Sequence, residues 1–222
     1  MSANPDVMAS SRSGRLHVEA CDLTDLAHRF GTPVFVLSSQ RIRDNYTRIE
    51  RAFAERWPEG SVGILPAFKA APYLAIRQLL SSLGAGCDTF GESELEGAVR
   101  GGTDPSRISV NGSIKSPEVI RRGIELGARI VIDAPREFEI CAREARAQGR
   151  KARLLFRIKP ELAGLDLESD FAPVPIHELT DRIRYGLPTC EALPLGPLAA
   201  ADANIEVLGF HAHVARHSTD MK

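Results

Sequence analysis

No stretch of the 222 residues is an uninterrupted apolar run long enough to span a bilayer, and residues 1–15 are polar, without the apolar core of a secretory leader. The chain therefore reads as neither membrane-inserted nor exported. An excess of one charge is missing too. Lys and Arg number 28 against 29 Asp and Glu, a formal net charge of -1, which gives no pull toward nucleic acid or anionic membrane. Cysteine is sparse. Cys21, Cys87, Cys141 and Cys190 form no CxxC pair and no His/Cys cluster at metal-ligand spacing, so neither a disulfide framework nor a metal site is expected, and the thiols read as reduced and cytoplasmic. A Gly-rich phosphate loop after the first strand is also lacking, which counts against a dinucleotide-binding open sheet.

What the chain has is alternation. Residues 1–15, rich in Ser, Ala and Asn, read as a disordered leader. A short helical pattern then closes at residues 27–30, Gly31-Thr32-Pro33 turns the chain, and residues 34–37 predict a strand. Ser38 or Ser39 caps a helix that carries Ile42, Tyr46, Ile49 and Phe53 at helical spacing. From residue 62 onward the pattern is regular. Strands are predicted at 62–68, 85–89, 108–110, 129–132, 152–158 and 205–211, and helices at 73–83, 93–100, 117–126 and 135–148. Between the last two strands no periodicity stands out and a long loop is expected. Strands separated by helices of this length predict βαβ units and a parallel sheet, hence an α/β fold. An open sheet and a (β/α)8 barrel both begin this way. The barrel is favoured because polar residues end several different strands, namely Lys69, Asp88, Asn111, Asp133, Arg157 and His213. About six of its eight strands are present.

Lys69 is the residue around which the rest makes sense. The run Ile64-Leu65-Pro66-Ala67-Phe68 ends in this one lysine, and Pro72 opens the helix that follows. A strand-end amine of this kind can form a Schiff base with a carbonyl. The plainer reading is a solvated lysine closing a strand.

The ordered set Phe30-Gly31-Thr32-Pro33-Val34-Phe35-Val36, Ala67-Phe68-Lys69, Gly86-Cys87-Asp88-Thr89 with Glu92-Ser93-Glu94-Leu95, Asn111-Gly112 with Lys115-Ser116, Arg157-Ile158-Lys159-Pro160, Arg184-Tyr185-Gly186-Leu187-Pro188 and Gly209-Phe210-His211-Ala212-His213-Val214 resembles the N-terminal domain of the fold-type III pyridoxal-phosphate decarboxylases. Diaminopimelate decarboxylases are the nearest members, with ornithine and arginine decarboxylases more distant. The resemblance implies a barrel that binds pyridoxal phosphate. Lys69 would link to the cofactor and His213 would stack on its ring, with Asp88, Glu94 and Arg157 lining the pocket. Each of these also has a structural alternative: Asp88 a turn cap, Arg157 an ion pair, Glu94 an acid at a helix N-terminus, and His211 and His213 core histidines sharing one strand face.

The sequence departs from that pattern in places. The Gly-Ser that follows the histidine motif and helps hold the phosphate is replaced by Ala215-Arg216-His217-Ser218, so Arg216 or Ser218 is expected to take over the contact. Residues 16–222 are expected to form the pyridoxal-phosphate domain, short of the end of the barrel, and the family's C-terminal β-domain has no counterpart. The expected activity is decarboxylation of an amino acid, as part of such an enzyme. The alternatives are a non-catalytic partner of a full-length relative and a single-domain carrier or racemase. The expected partners are an amino-acid substrate and either a second copy or a chain supplying the missing half, with no nucleic acid and no membrane.

Overall fold

The computed structural model describes residues 9–12, 14–159 and 185–213. Its centre is a five-stranded, wholly parallel sheet in sequential order: β4 (Cys87–Thr89), β5 (Ile108–Val110), β6 (Arg129–Ile132), β7 (Ala152–Arg157) and β8 (Ile205–His211). The intervening helices are α4 (Glu92–Arg100), α5 (Pro117–Leu126), α6 (Pro135–Gln148) and α7 (Thr189–Ala201). Sequential parallel strands with helical crossovers make this part of a barrel, as the repeat predicts.

Local chemistry sets several boundaries where the sequence places them. Ser116 accepts the Val119 N–H and Pro117 supplies the first helical turn of α5, which stops at Gly127 in the left-handed region. Helix α6 likewise starts at Pro135 and stops at Gly149. One side of the sheet packs on these helices. Cys87, Ile108, Val110, Ile130, Ile132, Leu154 and Phe156 are buried there against Leu95, Ile120, Ile124, Phe138 and Cys141. The rings of Phe138 and Phe156 lie 6.1 Å apart in this core.

Four expectations need correction. Residues 62–68 do not form a full strand, because Pro66 has no N–H to give a ladder. They instead run beside β4 through the bonds Gly86 N–H to Ile64 O and Asp88 N–H to Pro66 O and one bridge, Ala67 to Asp88. Residues 34–37 pair with no strand among the described residues, and Phe35 is 90% exposed; strand propensity makes no strand without a neighbour to bond. The first fifteen residues are not wholly irregular: β1 (Ala9–Arg12) pairs with β2 (Arg15–Val18), which pairs with β3 (Cys21–Asp22). Helix α7 replaces part of the expected loop. Its Pro194 and Pro197 erase the helical signal in the sequence, yet its Leu195 and Ala199 are buried.

The N-terminal meander leads into α1 (Leu23–Phe30), α2 (Ser39–Arg56) and α3 (Leu74–Ser82). The Glu19 carboxylate joins it to α2, accepting from the Ser38 hydroxyl and the Gln40 N–H. No helix among the described residues is long and apolar enough to cross a membrane.

The bridged segment and β4 approach so closely that a Cβ on Gly86 would lie 2.4 Å from the Arg107 carbonyl oxygen and 2.6 Å from Leu65 Cγ. Gly86→Ala is expected to cost about 1 to 3 kcal/mol by forcing backbone apart, read as a lower urea midpoint with an unchanged slope.

Candidate active site

In a strand the residue after a buried one faces the other side. Cys87, Val110, Ile132 and Phe156 are pinned in the helix-packed core, so Asp88, Asn111, Asp133 and Arg157 present to the opposite face at the C-terminal ends of β4 to β7. Strand β8 reaches the same result by a different route. A register shift falls between Leu154 and Leu155, so Leu154 pairs with Val207 while Leu155 pairs with Gly209. Leu208 is thereby bulged out. Without that extra residue Arg157 would stand beside Phe210; with it, Arg157 stands beside His211. Gly209 has φ +138°, a conformation that favours glycine, and it makes the bulge possible.

Two polar clusters result. In the first, Asn111 Nδ2 donates to Asp88 Oδ1 at 3.4 Å and lies 3.5 Å from His211 Nε2. Burial pushes the Asp88 carboxyl above its ordinary range, against the lowering pull of Asn111 and Lys69. Burial, followed by the Arg157 guanidinium, holds the His211 imidazole below its ordinary value. His211 Nδ1 is buried and has no hydrogen-bond partner among the described residues. In the second cluster Arg157 Nη1 bonds Asp133 Oδ1 at 3.2 Å, the two side chains being 11% and 2% exposed, and the guanidinium lies 5.1 Å from the Tyr185 ring centre. Tyr185 is brought there because Leu187 bridges Ile158, its N–H donating to Arg157 O.

Lys69 stands in a short 3-10 turn, Phe68–Ala70, just beyond the bridged segment. Its Nζ lies 4.1 Å from the Phe90 ring centre, and no hydrogen bond or ion pair among the described residues engages it. Phe90 is held there from behind, since its N–H donates to Glu94 Oε2 in the first turn of α4. Glu94 thus acts first as a cap and reaches the site through Phe90.

Of the residues singled out from sequence, Asp88 stands in the first cluster and Arg157 in the second, and Lys69 lies near enough to Asp88 for its charge to pull on that carboxyl. Glu94 lies one step behind them. His213 is exposed two residues past β8, and Arg216 lies outside the described residues, as do Pro160, Arg184, Val214, His217 and Ser218. His211 enters the site, where a core role was the alternative. Asn111 carried a signal as a strand-end polar residue. Tyr185 had none beyond its motif.

The two shifted groups set opposite pH dependences. The Asp88 carboxyl is raised, so its contribution to stability is complete below the ordinary aspartate value of about 3.9 and is lost as pH rises through the raised value. Asp88→Asn is therefore expected to raise the unfolding midpoint at pH 7 and to lose that advantage below about pH 4. His211 is depressed, so stability falls as the pH drops below about 6.5, and His211→Gln is expected to flatten that part of the urea midpoint against pH curve. Gly209→Ala is expected to cost about 1 to 3 kcal/mol through backbone strain, seen in the same titration.

The family described as pyridoxal-dependent decarboxylase, pyridoxal binding domain, matches residues 40–222. The diaminopimelate decarboxylase of Methanocaldococcus jannaschii is 31% identical over 230 residues, covering 95% of this chain and 48% of that protein. That of Pseudomonas aeruginosa is 29% identical over 214 residues, covering 96% and 49%. The crystal structure of the M. jannaschii enzyme in co-complex with L-lysine matches with a TM-score of 0.85 at 29% identity, over 97% of this chain and 50% of that one. The chain spans about half the length of the curated relatives it matches. The strand-end site and these matches agree: the chain belongs to the pyridoxal-dependent decarboxylases and corresponds to their pyridoxal-binding domain.

Proposed function

We propose that this chain holds pyridoxal phosphate through Lys69 and serves the decarboxylation of an amino acid of the diaminopimelate type. The observation that carries the reading is an amine, unengaged by any ion pair among the described residues, that faces the Phe90 ring and lies near enough to Asp88 for its charge to pull on that carboxyl, beside strand ends that carry Asn111, His211 and Arg157. The residues fit the group. His211 offers a buried nitrogen without a partner among the described residues, and the mouth combines an amine, a cation and two aromatic walls. The bound cofactor would supply an electron-accepting ring that takes up the electron pair left when carbon dioxide departs.

The chain's own residues have separable tasks. Lys69 would hold the cofactor through its amine. Asp88 holds a proton more tightly than an ordinary aspartate and is placed to pass one to or from that amine. Arg157, kept in position by Asp133, offers a cation to a carboxylate or phosphate. Phe90 and Tyr185 offer aromatic faces beside the Lys69 amine and the Arg157 guanidinium. His213 is assigned the ring face and Arg216 the phosphate. Glu94 contributes by fixing Phe90.

The same reading includes assembly with a second copy or a companion chain in the cytoplasm. Val207 and Phe210 on β8 and Phe35 are exposed apolar groups, which supports a covering surface. The substrate class is supported by the lysine bound to the M. jannaschii relative.

The test is release of labelled carbon dioxide from carboxyl-labelled diaminopimelate, lysine, ornithine and arginine with added cofactor. Release is expected to be fastest from diaminopimelate and to fall at least ~100-fold in Lys69→Ala. Release that survives Lys69→Ala, or none from any of the four by the chain in assembly with its partner, would contradict the reading.

A further inference from the structure

Behind the strand-end clusters lies an ion pair that the proposed chemistry does not use. The Lys115 side chain is 0% exposed, and its Nζ sits 2.8 Å from Glu137 Oε2. The same amine donates to the Gly112 carbonyl at 2.7 Å. Glu137 does more than neutralise it. Its Oε1 accepts the Lys115 N–H at 3.2 Å and its Oε2 accepts the Asp133 N–H at 2.9 Å. The surroundings are dry: burial, the largest cause, pushes the neighbouring Cys141 thiol up to about 12.

The partners of this pair are its informative feature. Gly112 directly follows Asn111, and Asp133 is itself the carboxylate that holds Arg157. The pair therefore grips the peptide next to one polar residue of each cluster, tying the loop after β5 to the loop after β6. Stability alone does not call for such a device. Taking two charges out of water costs several kcal/mol per ion, and apolar replacements of similar volume are often neutral or better. A buried pair is most useful where it specifies a geometry.

We propose that Lys115 and Glu137 are positioning residues, which set the stations of Asn111 and Asp133 and, through Asp133, hold Arg157 at the mouth of the barrel. The inference deepens the function proposed above and rests on it for its purpose, since Arg157 is the cation offered to the ligand. The geometry itself belongs to the chain without cofactor, and so does its test.

Phenylglyoxal modification of the full chain, without cofactor, is followed by mass spectrometry of the Arg157 peptide. Arg143, whose side chain is 60% exposed, serves as the internal standard. The variants are Glu137→Gln and the double Lys115→Met/Glu137→Gln, with melting temperatures measured in parallel. The double variant removes both charges, so much of the stability lost in the single variant is expected to return. The amide introduced by Glu137→Gln places an NH2 donor where one carboxylate oxygen stood, so one of the two backbone N–H groups, which bond different oxygens, faces a donor. Arg157 is expected to react about fivefold faster in both variants, with Arg143 unchanged. An Arg157 rate that stays at the wild-type value, or that returns to it as stability returns in the double variant, would reduce the pair to a stabilising role and overturn the proposal. A double variant that does not fold would overturn it as well. Failure of pyridoxal phosphate to bind Lys69 would sink the proposed function and leave the modification result standing.

Discussion

The site depends on the period of two along a strand. Four times over, an apolar residue locked into the helix-packed core is followed by a polar one: Cys87 by Asp88, Val110 by Asn111, Ile132 by Asp133, Phe156 by Arg157. Burying the first member of each couple turns the second toward the barrel mouth. The hydrophobic core thus does the aiming, and the polar groups need no force of their own to converge. Strand β8 breaks the rule and repairs it, because the bulge at Leu208, made possible by Gly209, exchanges Phe210 for His211 beside Arg157.

Convergence has an energetic cost that the folded chain carries openly. Asp88 is held in surroundings that disfavour its charge, and the half-buried His211 has one buried ring nitrogen without a partner among the described residues. Such groups weaken a fold, and they persist where they serve a ligand. The buried pair Lys115 and Glu137 stands beside them, since its hydrogen bonds restrain the loops that follow Asn111 and Asp133.

How far the sequence shows this depends on whether the signal is local. The caps at Ser116-Pro117 and Pro135 and the apolar runs of β5 to β8 are visible because a few neighbouring residues decide them. Asp88 and Arg157 are visible as strand ends, and the motif order identifies the family. What fails is decided at a distance. Residues 34–37 have strand composition and no partner strand among the described residues, and Pro66 limits the segment before Lys69 to a bridge. Helix α7 hides behind two prolines that its exposed side tolerates. The exchange of His211 for Phe210 needs the register with β7, and the Lys115 to Glu137 pair spans 22 positions, so neither leaves a mark on any short stretch.

The account stands on Lys69 as the amine that the assembled strand ends present to pyridoxal phosphate. The most direct measurement is to mix the chain with the cofactor, reduce with borohydride and map the labelled peptide. The account expects the label on Lys69, with Lys115 spared by its burial. Label on Lys151 or Lys159 in place of Lys69, or a folded chain without label, would contradict it.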